Sequence, residues 1–499
     1  MRASTILTSI LTIFICLPLL TEAQEQVKDS IQAPVIEKFV GENIYAVPDQ
    51  QPFDSTGLHF SKYKPCFTNT PYAFDLGVIG QATYTLSYFD RKNTDRPFFI
   101  EPFMAHFYSI DNGLMINTKR PYTRLQYISG AKEERMFNVF HTQNITKEFN
   151  IGMNMNFLGA KGAYSTQESN TKQIRVFTTY FGSRYLLRAQ YSTNSVSNQE
   201  NGGLETPEDI RFSELNSKEF PILLETSKSK TKFNQFYSKQ EFNLKGQYRE
   251  PDSMKIELQE FPISLGHELT YEKMLRKFEE ENYLPGSIYY LEEDSNSLVT
   301  NDSAQYNTMS NMIFLKLKLS PNDKLLFHTL IGYGIESEKC AFNQYDLTPE
   351  RWFGNNQFAK ISMWSKIQNN KYVDVQGKIY TSGRKSRNYS IRSTSFVQKT
   401  LQNDIVRLQL QLYAKEKTPG IYEQNFVSNQ VMWFNPMAKE QEYGGNLQVY
   451  STQERFKIKA AATIINNLVY FDSPTSVAQS YNSVLIYAVE GEKTTNFWK

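Results

Sequence analysis

The chain has 499 residues and a net charge of only +2, from 54 lysines and arginines against 52 aspartates and glutamates, which excludes a basic footprint for nucleic acid and an acidic tail. Hydrophobic residues make up 40% and mean hydropathy is −0.51, yet aromatic residues reach 14%. Disordered chains are poor in aromatics and strands favour Phe and Tyr, so this composition excludes disorder and favours β structure.

The first residues predict a secretory signal peptide, residues 1–23. A short n-region precedes an apolar stretch from Ile6 to Leu20, and a small-residue cleavage site ends at Ala23. The stretch is short and breaks at Pro18, which argues against a membrane anchor. Only Cys66 and Cys340 remain after cleavage, so we expect an exported protein whose stability does not come from a disulfide framework.

Residues 24–120 form an irregular N-terminal segment rich in Pro and Asn, including PDQQPFD at 48–54. The segment has no sustained alternation of apolar and polar residues. Three interpretations stay open for it: a periplasmic segment, a plug inside a barrel, or early barrel strands.

From residue 121 to the end, apolar and polar residues alternate with a period of two, which is typical of strands with two different faces. In one segment the apolar set is Phe149, Ile151, Met153, Met155 and Phe157, and Asn150, Asn154 and Asn156 fall between them. The same pattern recurs at 313–319, 325–333, 359–367, 373–379, 406–412 and 456–464. Residues 265–278 are ambiguous between a short helix and a long strand, and their context favours the strand.

These segments are about 9 to 13 residues long, the length that a tilted transmembrane strand needs. Short turns at 320–323, 368–370, 402–404 and 451–454 alternate with long loops at 337–355, 382–390 and 415–429, and residues 194–219 are also predicted to be an external loop. Short periplasmic turns and long extracellular loops are typical of an outer-membrane barrel. The alternative, a soluble sandwich or propeller, fits less well because no blade-length repeat is present. We predict an all-β antiparallel transmembrane barrel of roughly 16–18 strands over residues 121–499.

The parity of the strands assigns side chains to lipid or lumen. Met153, Leu317, Val375, Leu410 and Ile458 are predicted to face lipid, whereas Asn154, Lys318, Gln376, Gln409 and Lys457 are predicted to face the lumen. The predicted lumen-lining cations are Arg188, Lys316, Lys318, Lys360, Lys378, Arg407, Lys457 and Lys459. Arg175, Arg184 and Lys366 belong to the same set, against one acid, Asp374. A ring of such cations would favour anions, unless they pair with acids folded inside.

The segment at 120–164 resembles the putative-porin family of outer-membrane barrels in Bacteroidetes-type Gram-negative bacteria. The similar elements are Pro-Tyr-Thr at 121–123, Gly-Ala-Lys-Glu-Glu at 130–134 and His-Thr-Gln-Asn-Ile at 141–145, with further likeness at 198–203 and 262–272. The resemblance implies one membrane barrel and passive passage of small solutes. Such barrels commonly end on an aromatic-terminated strand, which the sequence at 496–499 departs from, so the barrel is expected to be incomplete at its C-terminus.

The sequence carries no P-loop, nucleophile elbow or zinc-protease motif. Five scattered histidines predict no metal site, and His328, on a lumen-facing position, has no identifiable nucleophile partner that would make it a catalytic base. The carboxylates at 279–281 and 292–294 are more simply a solvated loop face. We therefore expect no enzyme, no cofactor and no metal.

The hypothesis from sequence is a porin-like channel in the cell outer membrane for small solutes, with anion preference as a finer expectation. The expected partners are outer-membrane lipid and lipopolysaccharide, the barrel-assembly machinery and small solutes, but not nucleic acid. The main alternative is a non-conducting barrel that binds ligands or surfaces through its loops. A barrel enzyme and a soluble secreted β-protein are further rivals.

Overall fold

Segments that alternate apolar and polar residues form long antiparallel strands in this protein, seen here in a computed structural model. The structure describes residues 63–493 except 68–72, 92–94, 113, 119, 183, 212–214, 246–262, 282–298, 323–324, 344–349, 368–369, 402–403, 429–430, 452–455 and 474–475, together with 36–40 and 49–51. The predicted signal peptide at 1–23 and the C-terminal residues 494–499 lie outside the described residues.

The strands, in chain order, are β1 (Ile36–Val40), β2 (Asp49–Gln51), β3 (Ala73–Asp75), β4 (Thr83–Thr85), β5 (Leu114–Thr118), β6 (Tyr122–Ser129), β7 (Arg135–Asn144), β8 (Phe149–Lys161), β9 (Glu168–Phe181), β10 (Tyr185–Gln199), β11 (Lys228–Lys245), β12 (Ile263–Glu281), β13 (Val299–Asn322), β14 (Leu325–Asn343), β15 (Glu350–Ile367), β16 (Lys371–Ser382), β17 (Tyr389–Leu401), β18 (Asp404–Lys417), β19 (Asn425–Val427), β20 (Met432–Phe434), β21 (Glu440–Ser451), β22 (Phe456–Asn466), β23 (Val469–Ser473), β24 (Ser476–Gln479) and β25 (Val484–Lys493). Short 3₁₀ helices lie at Pro65–Phe67, Tyr88–Asp90, Glu101–His106, Ile110–Asn112 and Pro207–Arg211, and one helical turn at Ile421–Gln424. Among the described residues, no helix combines the length and the apolar character needed to span a membrane.

One antiparallel sheet of 16 strands dominates the structure, which confirms the predicted fold class and falls within the predicted strand number. Its order follows the chain, from β6 at one edge through β18, β21 and β22 to β25 at the other. Neighbouring strands are joined by hairpin connections, so contacts between strands remain local in sequence.

The two faces of the sheet differ as the alternation predicts. Leu410 and Ile458 are 40% and 56% exposed on the outward face, and Leu317 and Val375 are partly exposed there. Met153 shares this parity but is only 6% exposed, between its cross-strand partners His141 and Val176. An outward band of large apolar side chains, which includes Leu125, Tyr127, Ile313, Ile331, Leu408, Leu412, Leu485 and Tyr487, crosses the whole sheet. Such a band is what a transmembrane barrel presents to lipid.

Several strands extend further than the sequence pattern suggests. β14 continues to Asn343 and β15 begins at Glu350, so most of the long loop expected at 337–355 is strand instead. In the same way β10 runs to Gln199, into the expected loop at 194–219, and the ambiguous residues 265–278 lie within β12. The pattern fades there because both faces become polar beyond the apolar band, while strand pairing continues.

The connections differ at the two ends of the sheet. At one end, called here the long-connection end, the chain crosses at 130–134, 162–167, 200–227, 282–298, 344–349, 383–388, 418–439 and 467–483. The other end, the short-turn end, has connections at 145–148, 182–184, 323–324, 368–370, 402–403 and 452–455, with one longer connection at 246–262. This asymmetry matches the one predicted for an outer-membrane barrel.

The described residues between 63 and 112, called here the inner segment, contact the polar face of the sheet near both of its edges. The Ser87 hydroxyl donates to Glu490 on β25, and Tyr108 contacts Asn138 on β7. A segment that reaches both β7, the second strand of the sheet, and β25, the last, on one face requires the sheet to curl around it. We call this concave side the inner face.

Candidate functional site on the inner face

Side-chain amides of β10 and β11 hold the backbone of the inner segment. The Tyr108 N–H donates to Asn194 Oδ1 at 2.8 Å, and Asn194 Nδ2 donates back to the Tyr108 carbonyl at 3.0 Å. The Ile110 N–H donates to Gln235 Oε1 at 2.6 Å. The guanidinium of Arg175 lies 4.8 Å from the centre of the Tyr108 ring, a cation–π distance. These partly buried hydrogen bonds fix Tyr108 and Ile110 against one side of the wall.

Arg96 is the main charged anchor of the inner segment. Its guanidinium lies 2.8 Å from Asp111 and 2.8 Å from Glu272 on β12, and Gln235 Nε2 also donates to Glu272 at 2.7 Å. Burial raises the pKa of the nearby Glu101 carboxyl to about 7, helped by the negative charges of Asp111 and Glu272 and opposed by Arg96. Glu101 Oε1 is buried with no hydrogen-bond partner among the described residues.

Ion pairs hold the opposite side of the inner segment. Lys459 Nζ on β22 lies 2.8 Å from Asp90 and 3.5 Å from Glu490. Lys385, in the connection after β16, lies 3.7 Å from Asp95, 2.7 Å from Glu336 and 3.1 Å from Glu338. Although burial opposes its charge, Glu336 and Asp95 raise the pKa of Lys385 well above its ordinary value. Residues 108–110 are therefore held mainly by hydrogen bonds with side-chain amides, whereas Asp90, Asp95 and Arg96 are held by ion pairs.

An aromatic core joins the inner segment to the wall and to the loops of the long-connection end. Phe99, Phe103 and Phe107 are at most 4% exposed and pack with Phe233 of β11 and with Tyr422. Phe98 meets three loop aromatics, and its ring centre lies 5.8 Å from Phe426, 6.2 Å from Trp433 and 5.0 Å from Phe471. The packing couples the inner segment to the loops.

The structure places the predicted lumen cations on the inner face, where several already have partners. Lys316 lies 3.2 Å from Glu241, Lys378 lies 3.5 Å from Glu336, and Lys459 is paired as described. Arg407 stacks 4.1 Å from the Phe396 ring and donates to Tyr450 and Gln398, both at 3.0 Å. Arg188 is 7% exposed and lies 5.7 Å from the Phe181 ring.

The remaining predicted cations divide into three cases. Lys318, Lys360 and Lys457 share the inner parity, and Lys360 and Lys457 form no ion pair with a carboxylate among the described residues. Arg184 was predicted to face the lumen from a strand. It is instead an exposed residue in the bend before β10, which begins at Tyr185. The side chain of Lys366 lies outside the described residues.

The expected excess of cations over one acid does not hold on the inner face. Glu241, Glu272, Glu336 and Glu338 are all buried there, next to the cations named above. Sequence reasoning missed them because β11, β12 and the far half of β14 are not among the clearest alternating segments. A signal was present nonetheless: the even positions of β14, continued from His328, reach Glu336 and Glu338.

His328 lies flat on Trp364, with ring centres 3.7 Å apart and planes 9° from parallel. Tyr372 and Phe396 continue the row on the next two strands, with ring centres 5.0 Å apart. Rings stacked in this way brace neighbouring strands near the short-turn end. No group of three His, Cys, Asp or Glu side chains among the described residues is arranged to hold a metal ion.

Comparisons with known proteins agree with this architecture. The siderophore receptor PirA from Acinetobacter baumannii is similar in structure, with a TM-score of 0.50 and 11% identity over 77% of this chain and 62% of that one. The ferric enterobactin receptor PfeA from Pseudomonas aeruginosa, solved with enterobactin, has a TM-score of 0.50 and 9% identity over 78% of this chain and 63% of that one. At such identities the likeness is one of fold, and this chain spans less than two thirds of either receptor.

No curated protein matches the sequence. A family model described as putative porin matches residues 42–499, which is most of the chain. The membership agrees with the sequence resemblance, with the outward apolar band and with the polar inner face. The chain belongs to the putative porin family.

Proposed function

We propose that the protein is an outer-membrane barrel that conducts small solutes through its lumen, and that the inner segment restricts this passage. The observation that carries the proposal is the position of the inner segment, which contacts the inner face at both β7 and β25. The outward apolar band supports the location in a membrane, and the asymmetric connections support an outer membrane with the long-connection end outside. The proposal is a transport role and assigns no catalytic residue.

The inner segment suits a restricting role because its two sides are held differently. The hydrogen bonds that Tyr108 and Ile110 form with side-chain amides are neutral and partly buried, whereas Asp90 and Asp95 depend on ion pairs with Lys459 and Lys385. Loss of the two aspartate charges would loosen the second side, which keeps the hydrogen bond from Ser87 to Glu490, while the first side stays bound. Passage would then widen next to β14–β25.

The test is single-channel conductance in planar bilayers. The double variant Asp90→Asn with Asp95→Asn is expected to conduct severalfold more than the unchanged protein. Glu133→Gln is the matched control, because Glu133 also pairs with a lysine, Lys161 at 2.9 Å, but on an exposed turn. Equal conductance of all three proteins would show that the inner segment does not restrict the passage.

We propose a weaker anion preference than the count of predicted lumen-facing lysines and arginines suggests. Lys360 and Lys457 keep the inner parity, but Lys316, Lys378 and Lys459 already contact carboxylates. Paired cations present little net field to a passing ion. We therefore propose a modest preference for anions, set by the cations nearest the short-turn end.

A second candidate function is ligand binding by the loops without conduction. It is favoured by exposed apolar side chains around Trp433 at the long-connection end, where Met432, Phe434 and Phe471 are 65%, 58% and 45% exposed. This candidate predicts no current from any of the variants above. It also predicts that a bound ligand changes the fluorescence of Trp433, which a variant Trp433→Phe would remove.

A further inference from the structure

Five lysines project from the outward face of two neighbouring strands at the long-connection end. On β11 they occupy the parity of Phe236, Phe242 and Leu244, and on β12 that of Leu265 and Tyr271, all of which are outward apolar residues. The outer lysine cluster consists of Lys228, Lys230, Lys232, Lys273 and Lys277. Lys228, Lys230 and Lys273 are exposed, and Lys232 and Lys277 are partly buried.

The cluster begins where the apolar band ends. Phe236 of β11 lies directly opposite Tyr271 of β12, and Asn234 lies opposite Lys273 in the next outward row. Lys273 is therefore two residues beyond an aromatic pair, or roughly 7 Å along the strand. Aromatic side chains mark the boundary of the hydrocarbon in membrane barrels, so the lysines lie at the depth of lipid headgroups.

Among the described residues of β11 and β12, the five lysines of the cluster outnumber the two carboxylates of the same outward parity, Glu279 and Glu281. Lys230 lies directly opposite Lys277, and like charges in this position destabilise a sheet. None of the five lysines forms an ion pair with a carboxylate among the described residues, although Glu279 lies opposite Lys228. By contrast, Lys161 at the same end of β8 is paired with Glu133. A surface that keeps opposed lysines beside lipid is suited to an anionic ligand.

We propose that the outer lysine cluster binds the phosphate groups of a phosphorylated glycolipid of the lipid A type in the outer leaflet. The proposal rests on the membrane location and orientation in the proposed function. Each lysine can donate up to three hydrogen bonds to phosphate oxygens, and an anion between Lys230 and Lys277 would remove their repulsion. The aromatic pair Phe236–Tyr271 would then contact the first part of the acyl chains.

The test measures lipid binding to the full chain in detergent. Bisphosphorylated lipid A is added in mixed micelles, and the lipid that stays with the protein after size-exclusion chromatography is counted. The triple variant Lys230→Gln, Lys273→Gln, Lys277→Gln is expected to retain at least about fivefold less lipid, and rising salt should weaken binding to the unchanged protein. Lys161→Gln is the matched control and should bind as the unchanged protein does.

Three results would overturn the proposal. The triple variant could bind as much lipid A as the control, dephosphorylated lipid A could bind equally well, or inorganic phosphate alone could displace the lipid and so reveal a site for soluble anions.

Folding is followed by the heat-dependent shift in electrophoretic mobility. The single variant Lys277→Gln, which relieves the repulsion from Lys230, should fold at least as well as the unchanged protein. Because binding is measured without current, a barrel that fails to conduct can still pass this test.

Discussion

Lys459 on β22 forms an ion pair with Asp90 of the inner segment at 2.8 Å, across 369 positions of sequence. The same ammonium group lies 3.5 Å from Glu490 on β25, and the Lys459 side chain is only 8% exposed. Lys459, which the sequence predicted to line the lumen, therefore links β22 both to β25 and to the inner segment. The pair makes the inner segment part of the barrel structure.

Removing that cation should loosen the inner segment. Lys459→Gln leaves the partly buried Asp90 and Glu490 without their shared partner, which costs about 2 kcal/mol. We expect faster hydrogen exchange at residues 83–91 and a lower unfolding midpoint. Lys457→Gln, at an exposed position on the same face of the same strand, is the control and should change stability by less than about 0.5 kcal/mol. Equal hydrogen exchange at residues 83–91 in both variants would show that Lys459 does not hold the inner segment in place.

The two faces of β18 should respond differently to charge. Leu410 is 40% exposed on the outward face, and its neighbour Gln409 points inward to accept a hydrogen bond from Tyr450. Leu410→Arg should destabilise the folded barrel in lipid by about 2–4 kcal/mol, and Gln409→Arg by much less. Urea titration in lipid vesicles measures both. Similar losses would mean that the parity assignment is wrong.

Docking of the inner segment should weaken as pH rises. The pKa of Glu101 is about 7 in the folded protein, against an ordinary value of 4.5, because burial disfavours its charge. Stability from the neutral carboxyl is complete below about pH 4.5 and is lost as pH rises through about 7. Glu101→Gln should remove this dependence and slow hydrogen exchange at residues 95–112 at about pH 8. An unchanged pH profile in the variant would assign the dependence to another group.

Protease treatment of intact cells tests the orientation. Residues 205–208 and 210–211 are exposed in a long connection and should be cleaved, since exposed connections are the usual sites of nicking. The short connection between β13 and β14 lies beyond the turn expected at 320–323, because β13 continues to Asn322, and it should be protected on the periplasmic side. The same digestion of lysed cells, in which both ends are accessible, provides the control. Cleavage at the short turn alone in intact cells would invert the proposed topology.

Ion selectivity tests the modest anion preference. Replacing Lys360 and Lys457 with Gln should move the reversal potential in a salt gradient towards zero, because these side chains have no carboxylate partner among the described residues. Replacing the outward Lys161 with Gln should leave it unchanged. A cation-selective unchanged protein would contradict the preference.

The sequence by itself determined the fold class, the approximate strand number and which side of each clear strand faces outward. Those properties are local: a residue's parity along β18 places Leu408, Leu410 and Leu412 on one side whatever else the chain does. The strand ends were less predictable, because beyond the apolar band the alternation of apolar and polar side chains fades while pairing between backbones continues, as in β14.

Only the tertiary structure decided where the inner segment lies and which charged side chains form pairs. The three interpretations of the N-terminal segment differ in contacts such as Asp90 with Lys459 and Arg96 with Glu272, whose partners are far apart in the chain. Long-range pairing of single charges leaves no periodic trace in sequence. The outer lysine cluster became visible for the same reason, since the opposition of Lys230 and Lys277 depends on the register between β11 and β12.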